Sequence, residues 1–242
     1  MKVVAAYSHK GGTGKSTALM ALASAIEARG QRALLVDCDP QRNFNMYRMQ
    51  GEEIGCWSER MEVVYFDYEA TGVAVLESAL MDAEDSGRFD YALLNLAGVD
   101  HPFNRMALRY AELTLLPFKP AATELTELSP ALEVLRDLAE DGEVGAARVL
   151  FTMMRPKLTV AATAYRDAAL DGFPVLDARL RDTAIFADIV MRGLLGRSLA
   201  AAEAQAGGPA KLQERRLRDE LKDCRALLDE VDAVIADAGA PA

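Results

Sequence analysis

Short apolar runs alternate with longer amphipathic stretches along most of the chain, and that alternation sets the expected architecture. Lys2 to Ser8 predicts a buried strand, followed by a glycine-rich turn and an alanine- and leucine-rich helix from about Ser16 to Arg29 that stops at Gly30. Gln31 to Asp37 predicts a second strand, apolar on both faces as a covered parallel strand would be, ending in the acidic loop DCDPQRN. Further strands are expected at Met61 to Phe66, Tyr91 to Leu96, Leu113 to Pro117, Ala147 to Met153 and Phe173 to Leu176. Helices are expected at Val73 to Asp85 and near 103 to 110, 123 to 140 and 159 to 170. Alternating strands and helices imply an α/β fold: a doubly wound, mostly parallel sheet with helices on both faces. Phe44 to Arg60 gives no clear pattern. Ala204 to Pro209 (AQAGGP) is linker-like, and Lys211 to Asp237 predicts one long amphipathic helix.

Composition narrows the class. With 242 residues, 51% of them apolar and 26% charged, one folded domain is the default. The net charge of -10 counts against a uniformly basic surface, so contact with nucleic acid would need a local patch. Three scattered cysteines and two histidines support neither a disulfide framework nor a zinc site, and a cytoplasmic location fits them. The N-terminal apolar run is too short for a signal peptide, and no segment is long enough to span a membrane.

The chemistry concentrates in Lys10, Gly11, Gly12, Thr13, Gly14, Lys15, Ser16 and Thr17, which lie between a predicted strand and a predicted helix. In such a phosphate-binding loop the glycines let backbone N–H groups face phosphates and the helix N-terminus adds partial positive charge. Lys15 reaches the β- and γ-phosphates and Ser16 holds Mg²⁺. His9 stands where a strict GxxxxGK[ST] pattern has glycine, so the match is to a variant, KGGxGK[ST], with an extra lysine at Lys10.

That variant resembles the deviant Walker A motif of the ParA/MinD family of P-loop ATPases, and the resemblance runs from Met1 to about Leu199. It implies a SIMIBI-like P-loop NTPase fold, an ATPase domain over 1–203 and a helical extension over 204–242 packed on it. It also implies a homodimer closed around two ATP molecules, each Lys10 reaching the nucleotide of the other subunit. By the same resemblance Asp39 positions the attacking water and Asp37 lies near the Mg²⁺ shell, so the catalytic candidates are Lys10, Lys15 and Asp39. FDYALLNLAG matches the Walker B strand but puts Asn95 where the family has aspartate, removing a negative charge beside Mg²⁺ and pointing to slow hydrolysis. ATP is preferred over GTP because no NKxD motif follows the sixth strand. Met153 and Met154 either flank the base or fill core.

MinD-like relatives end in a basic membrane-lying helix, whereas this chain ends with Asp229, Glu230, Asp232 and Asp237, so no membrane contact is expected. ParA-like relatives bind DNA without sequence preference through arginines. Arg179, Arg181, Arg192 and Arg197, expected in a loop-helix region, and Arg215, Arg216 and Arg218 are the candidates here. The expected function is a ParA-like ATPase that partitions or positions a plasmid, chromosome region or protein cluster on the nucleoid, with a cargo adaptor that stimulates hydrolysis. The phrases TALMALASAI, RALLVDCDPQR and FDYALLN are also similar to VirC1-type proteins, and so keep open an ATP-bound scaffold for a conjugation or other assembly. A metabolic P-loop enzyme acting on a small molecule is disfavoured by Lys10. Trp57, Tyr65, Phe66 and Tyr68 are expected in packing, and His101 is not expected to act as a base.

Overall fold

The structure is a computed structural model describing residues 1–140, 142, 144–205 and 207–238. Ala206 of the linker-like stretch and residues 239–242 of the predicted extension lie outside the described residues.

Seven strands form one parallel sheet: β1 (Lys2–Ala6), β2 (Ala33–Asp37), β3 (Met61–Tyr65), β4 (Tyr91–Asn95), β5 (Leu113–Phe118), β6 (Ala146–Met154) and β7 (Val175–Arg181), in the spatial order β3-β2-β4-β1-β5-β6-β7. From β1 the chain winds outward in one direction through β2 and β3 and in the other through β5, β6 and β7. That reversal makes the carboxyl end of β1 the natural ligand crevice of an open α/β sheet.

The strands alternate their side chains between two layers. Val4, Ala6 and Leu35 face one core with α1 (Lys15–Ala28), α2 (Asn43–Glu53), α7 (Ala184–Ala187), α8 (Ile189–Arg192), α9 (Leu195–Glu203) and α10 (Gly208–Ala238). Ala5, Tyr7, Leu34 and Val36 face the other, with α3 (Val73–Asp85), α4 (Pro102–Arg109), α5 (Ala122–Glu140) and α6 (Val160–Gly172). The period-two alternation puts apolar side chains on both faces, which is why β1 and β2 carry continuous apolar runs.

Two elements differ from the sequence expectation. Strand β7 runs to Arg181, so Arg179 and Arg181 lie on a strand rather than in a loop-helix region. It is an edge strand, half exposed, and its charged positions alternate with apolar ones. The unreadable segment after Phe44 contains α2, whose N-cap is Arg42 in a left-handed conformation (φ 51°) with no side-chain cap, so no Ser/Thr/Asp/Asn start signal marks it.

Helix α10 buries Leu217, Leu221, Cys224, Leu228, Val231 and Ile235, a stripe at helical spacing, against α1, α9 and β7. The Glu230 carboxylate accepts the N–H groups of Asp177 (2.7 Å) and Ala178 (2.8 Å), tying α10 to the edge strand. Asp232 accepts from Lys2 Nζ at 2.7 Å and from the Tyr91 hydroxyl at 2.6 Å, fixing the far end of the helix beneath the sheet. No helix among the described residues is long and apolar enough to cross a membrane.

Candidate functional site

The loop from Lys10 to Gly14 leaves β1 at the crevice and turns straight into α1. Gly12 (φ 81°) and Gly14 (φ 102°) adopt backbone conformations that an L side chain rarely accepts, and a Cβ on Gly14 would also press on Thr152 at 3.2 Å. The first hydrogen bond of α1 runs from the Ala18 N–H to the Gly14 carbonyl (2.9 Å), and Gly14 has no capping side chain. The helix therefore leaves the N–H groups of its first turn without intrahelical partners, a ready anion site. Thr152 at the end of β6 donates to the Thr13 carbonyl (2.8 Å) and holds the loop from the side.

Lys15 is turned into the loop and almost fully buried, its Nζ donating to Ser8 Oγ and the Lys10 carbonyl, both at 3.2 Å. Ser8 in turn bonds Thr13 Oγ1 at 3.1 Å and the Lys10 carbonyl at 2.8 Å. Burial pulls the Lys15 ammonium below its ordinary pKa, and nearby Asp39 opposes this. A buried cation with only neutral hydrogen-bond partners fits a site that takes a polyanion.

On the other side of the loop a directed chain of hydrogen bonds joins four residues. Asn43 Nδ2 donates to Ser16 Oγ (3.1 Å), Ser16 Oγ donates to Asn95 Oδ1 (3.2 Å), and Asn95 Nδ2 donates to Asp37 Oδ1 (2.8 Å). Asp37 also accepts the N–H groups of Phe44 (2.8 Å) and Asp39 (3.2 Å). Asp37 and Asn95 are wholly buried, and desolvation raises the Asp37 pKa against the lowering effect of these donors. One carboxylate, a hydroxyl and an amide oxygen are hard donors suited to Mg²⁺ held jointly with phosphate oxygens. Among the described residues no group of three or more His, Cys, Asp or Glu could hold a metal ion alone. The residues thus fit a magnesium nucleotide.

Lys10 diverges from Lys15: its side chain lies on the rim, one third exposed, and its Nζ pairs with Glu124 at 2.7 Å. Asp39 sits partly exposed at the mouth of the site with its Oδ1 accepting the Gln41 N–H at 3.0 Å. Gly98, in the loop after β4, lies against the Lys10 peptide, where a Cβ would come within 2.7 Å of the carbonyl carbon. Asn104 on α4 donates to the carbonyls of Ala97 (3.0 Å) and Val99 (2.8 Å) and so fixes that loop. Thr17 and Gly14 line a cavity of about 290 Å³ with Thr152, Met153, Leu180 and Phe186, mostly apolar and large enough to admit a heterocyclic base. Met153 therefore reaches the cavity with a left-handed backbone (φ 51°), whereas Met154 is buried in the core.

The remaining expectations separate. His101 caps α4, accepting the Phe103 N–H at its Nδ1 (3.2 Å). Trp57 packs edge-on to Tyr47 under the α1 face, and Tyr65 carries the Arg42 guanidinium.

Three of the seven arginines are held by close ion pairs. Arg181 pairs with Glu220 and Asp223, Arg197 with Glu27, and Arg218 with Glu203 and Glu214. Arg179, Arg215 and Arg216 have no ion pair among the described residues, and Arg192 lies 3.8 Å from Asp188. Arg181, Arg192 and Arg216 line a groove of about 660 Å³ between α7, α8 and α10. Asn43, Glu124, Gly98 and Thr152 were not singled out by sequence. Asn43 lies inside the DPQRN loop and Gly98 closes the FDYALLNLAG segment, so these two carried a local signal.

This fold and phosphate loop define a ParA/MinD-like P-loop ATPase. The match to the family model described as VirC1 protein spans residues 1–237, and the chain belongs to that family. It is 29% identical over 220 residues to Protein virC1 of Rhizobium rhizogenes, covering 90% of this chain and 92% of the relative. It is 28% identical over 160 residues to Protein ParA of Rhizobium radiobacter, covering 65% and 67%. The crystal structure of a plasmid partition protein from Borrelia burgdorferi bound to AMPPNP superposes with a TM-score of 0.68 at 12% identity, covering 96% of this chain and 98% of that one, a likeness of fold.

Proposed function

We propose that this chain is an ATP-dependent dimerising switch that binds DNA without sequence preference and positions or delivers a cargo. The observation that carries the reading is the pair of lysines: Lys15 buried in the loop, Lys10 on its rim. A rim lysine is free to serve a second nucleotide once its pairing with Glu124 yields. ATP with Mg²⁺ is the proposed ligand, supported by the Lys15 pocket, the Ser16–Asn95–Asp37 chain and the AMPPNP held by the Borrelia relative.

When bound, the magnesium nucleotide supplies the electrophilic phosphorus. The chain's own residues do the rest. Lys15 and the loop N–H groups neutralise phosphate charge, Lys10 adds a second cation from the partner copy, and Asp39 at the mouth orients a water. Arg192, Arg216, Arg215 and Arg179 are the proposed phosphate contacts on DNA, since Arg181, Arg197 and Arg218 are committed to intramolecular carboxylates. With a net charge of -10 such binding has to be local and strongly salt-dependent. Nucleoid association and an adaptor that stimulates hydrolysis belong to the same proposal.

A second reading rests on Asn95. With one carboxylate where the resemblance leads one to expect two, hydrolysis is slow and the ATP-bound dimer is a long-lived scaffold. Binding of the purified protein to an unrelated duplex, at low and moderate salt with MgATP against MgADP, tests the first reading, and phosphate release under the same conditions separates the two. DNA retained only with ATP supports the switch. Equal binding with both nucleotides, or none, rejects it.

A further inference from the structure

The loop after β2 has a feature that the nucleotide reading does not use: the start of α2 is tied to the residues proposed to face the metal. An N-terminal turn normally relies on a capping side chain. Here Arg42, in the left-handed conformation, offers none. Besides the Met46 N–H bond to the Arg42 carbonyl (3.1 Å), two bonds to the metal-facing residues hold the turn. Asn43 Nδ2 donates to Ser16 Oγ at 3.1 Å, and the Phe44 N–H donates to Asp37 Oδ2 at 2.8 Å. The rest of the helix is anchored elsewhere: Tyr47 hydrogen-bonds Ser24 at 3.1 Å, and Gly51 packs on Trp57 and Gly193.

The direction of the Asn43 bond is forced. Ionised Asp37 only accepts, so Asn95 turns its NH₂ to Asp37 and its oxygen to Ser16; the single Ser16 hydroxyl hydrogen goes to that oxygen. Asn43 therefore approaches Ser16 Oγ as a donor, with the positive end of its amide. A serine oxygen that offers a lone pair to Mg²⁺ at about 2.1 Å brings a dication against those same amide hydrogens.

We propose that Asn43 is a positioning residue that senses the metal at Ser16: its amide occupies the hydroxyl without Mg²⁺, leaves it when Ser16 turns to the cation, and so releases the first turn of α2. The inference rests on the magnesium-nucleotide reading above. It adds that Mg²⁺, rather than nucleotide alone, remodels residues 42 to 47, on the helix that exposes Met46 and Met49.

The test is amide hydrogen exchange of that segment in the full chain, without nucleotide, with AMPPNP plus chelator, and with AMPPNP plus Mg²⁺, for wild type and Asn43→Ala. Wild type should change little with chelated nucleotide and exchange about fivefold faster with Mg²⁺, the equivalent of one lost hydrogen bond. Asn43→Ala should exchange fast in all three states. With its competitor gone, Ser16 should also take Mg²⁺ into the nucleotide complex about fivefold more tightly than in wild type. A Mg²⁺ response of equal size in both proteins, or weaker Mg²⁺ uptake in the variant, overturns the proposal while leaving nucleotide binding intact. Failure of wild type to bind AMPPNP at all overturns the nucleotide reading and this inference with it.

Discussion

Asn95→Asp puts a second carboxylate beside a buried one. Asn95 Nδ2 lies 2.8 Å from Asp37 Oδ1, and both residues are fully buried. The substitution removes a donor from Asp37 and adds a like charge. Two unit charges at 4 Å repel by about 4 kcal/mol at an effective dielectric of ~20, and relaxation or a shared proton lowers that, leaving a net cost of about 2–4 kcal/mol. In a chain of this size each kcal/mol moves Tm by about 2–4 °C, so the variant should melt roughly 5–15 °C lower in chelator at neutral pH. Acidification should shrink the deficit, because one carboxyl of the pair then takes a proton. MgADP should restore more stability to the variant than to wild type, since a cation relieves the repulsion, and phosphate release should rise. Scanning calorimetry with chelator and with MgADP, together with a phosphate assay, measures all of this. Equal melting of variant and wild type in chelator and an equal MgADP shift would refute the assignment of Asn95 and Asp37 to one metal-facing pair.

Three other perturbations follow from the geometry. Arg181→Gln leaves the nearly buried Glu220 without its cation and should cost about 1–3 kcal/mol at neutral pH, discounted because Arg181 is itself partly exposed. Burial already raises the Glu220 pKa, with Arg181 opposing, so the folded state takes up the proton first. The deficit should therefore shrink as pH falls through the folded pKa and be smallest below the unfolded value, which melting at several pH values checks. Gly98→Ala places a Cβ 2.7 Å from the Lys10 carbonyl carbon, which forces the backbone of the loop to shift, and should cost about 1–3 kcal/mol of stability by melting and weaken MgADP binding about tenfold by calorimetry. Glu124→Gln removes the partner of Lys10 and should lower the ATP concentration needed for self-association about two- to fivefold, as expected for a partly exposed ion pair; no change would mean that the pair does not restrain Lys10.

Much of this was legible in the sequence because a covered parallel sheet forces continuous apolar runs and a phosphate loop forces glycines at fixed spacing. β1, β2, β4 and α1 fall within a few residues of expectation. β7 was cut short because an edge strand carries Asp177, Arg179 and Arg181 on its open side and so loses the apolar run. α2 was hidden because the first-turn N–H of Phe44 is taken by Asp37 at the end of β2, while Asn43 spends its side chain on Ser16, so the Arg42 N-cap position carries no start signal. Lys10 was evident as an extra lysine, but its restraint by Glu124 exists only once α5 packs beside the loop. The arginines were visible as a cluster, yet which of them are neutralised depends on where α10 crosses β7.

The central claim is that nucleotide controls association through Lys10. Sedimentation velocity of wild type and Lys10→Ala in MgATP and in MgADP tests it most directly. The account predicts a dimer for wild type in MgATP alone and a monomer for Lys10→Ala in both, with the variant still binding nucleotide through Lys15. A wild-type monomer in MgATP, or a Lys10→Ala dimer that forms as readily as wild type, would contradict it.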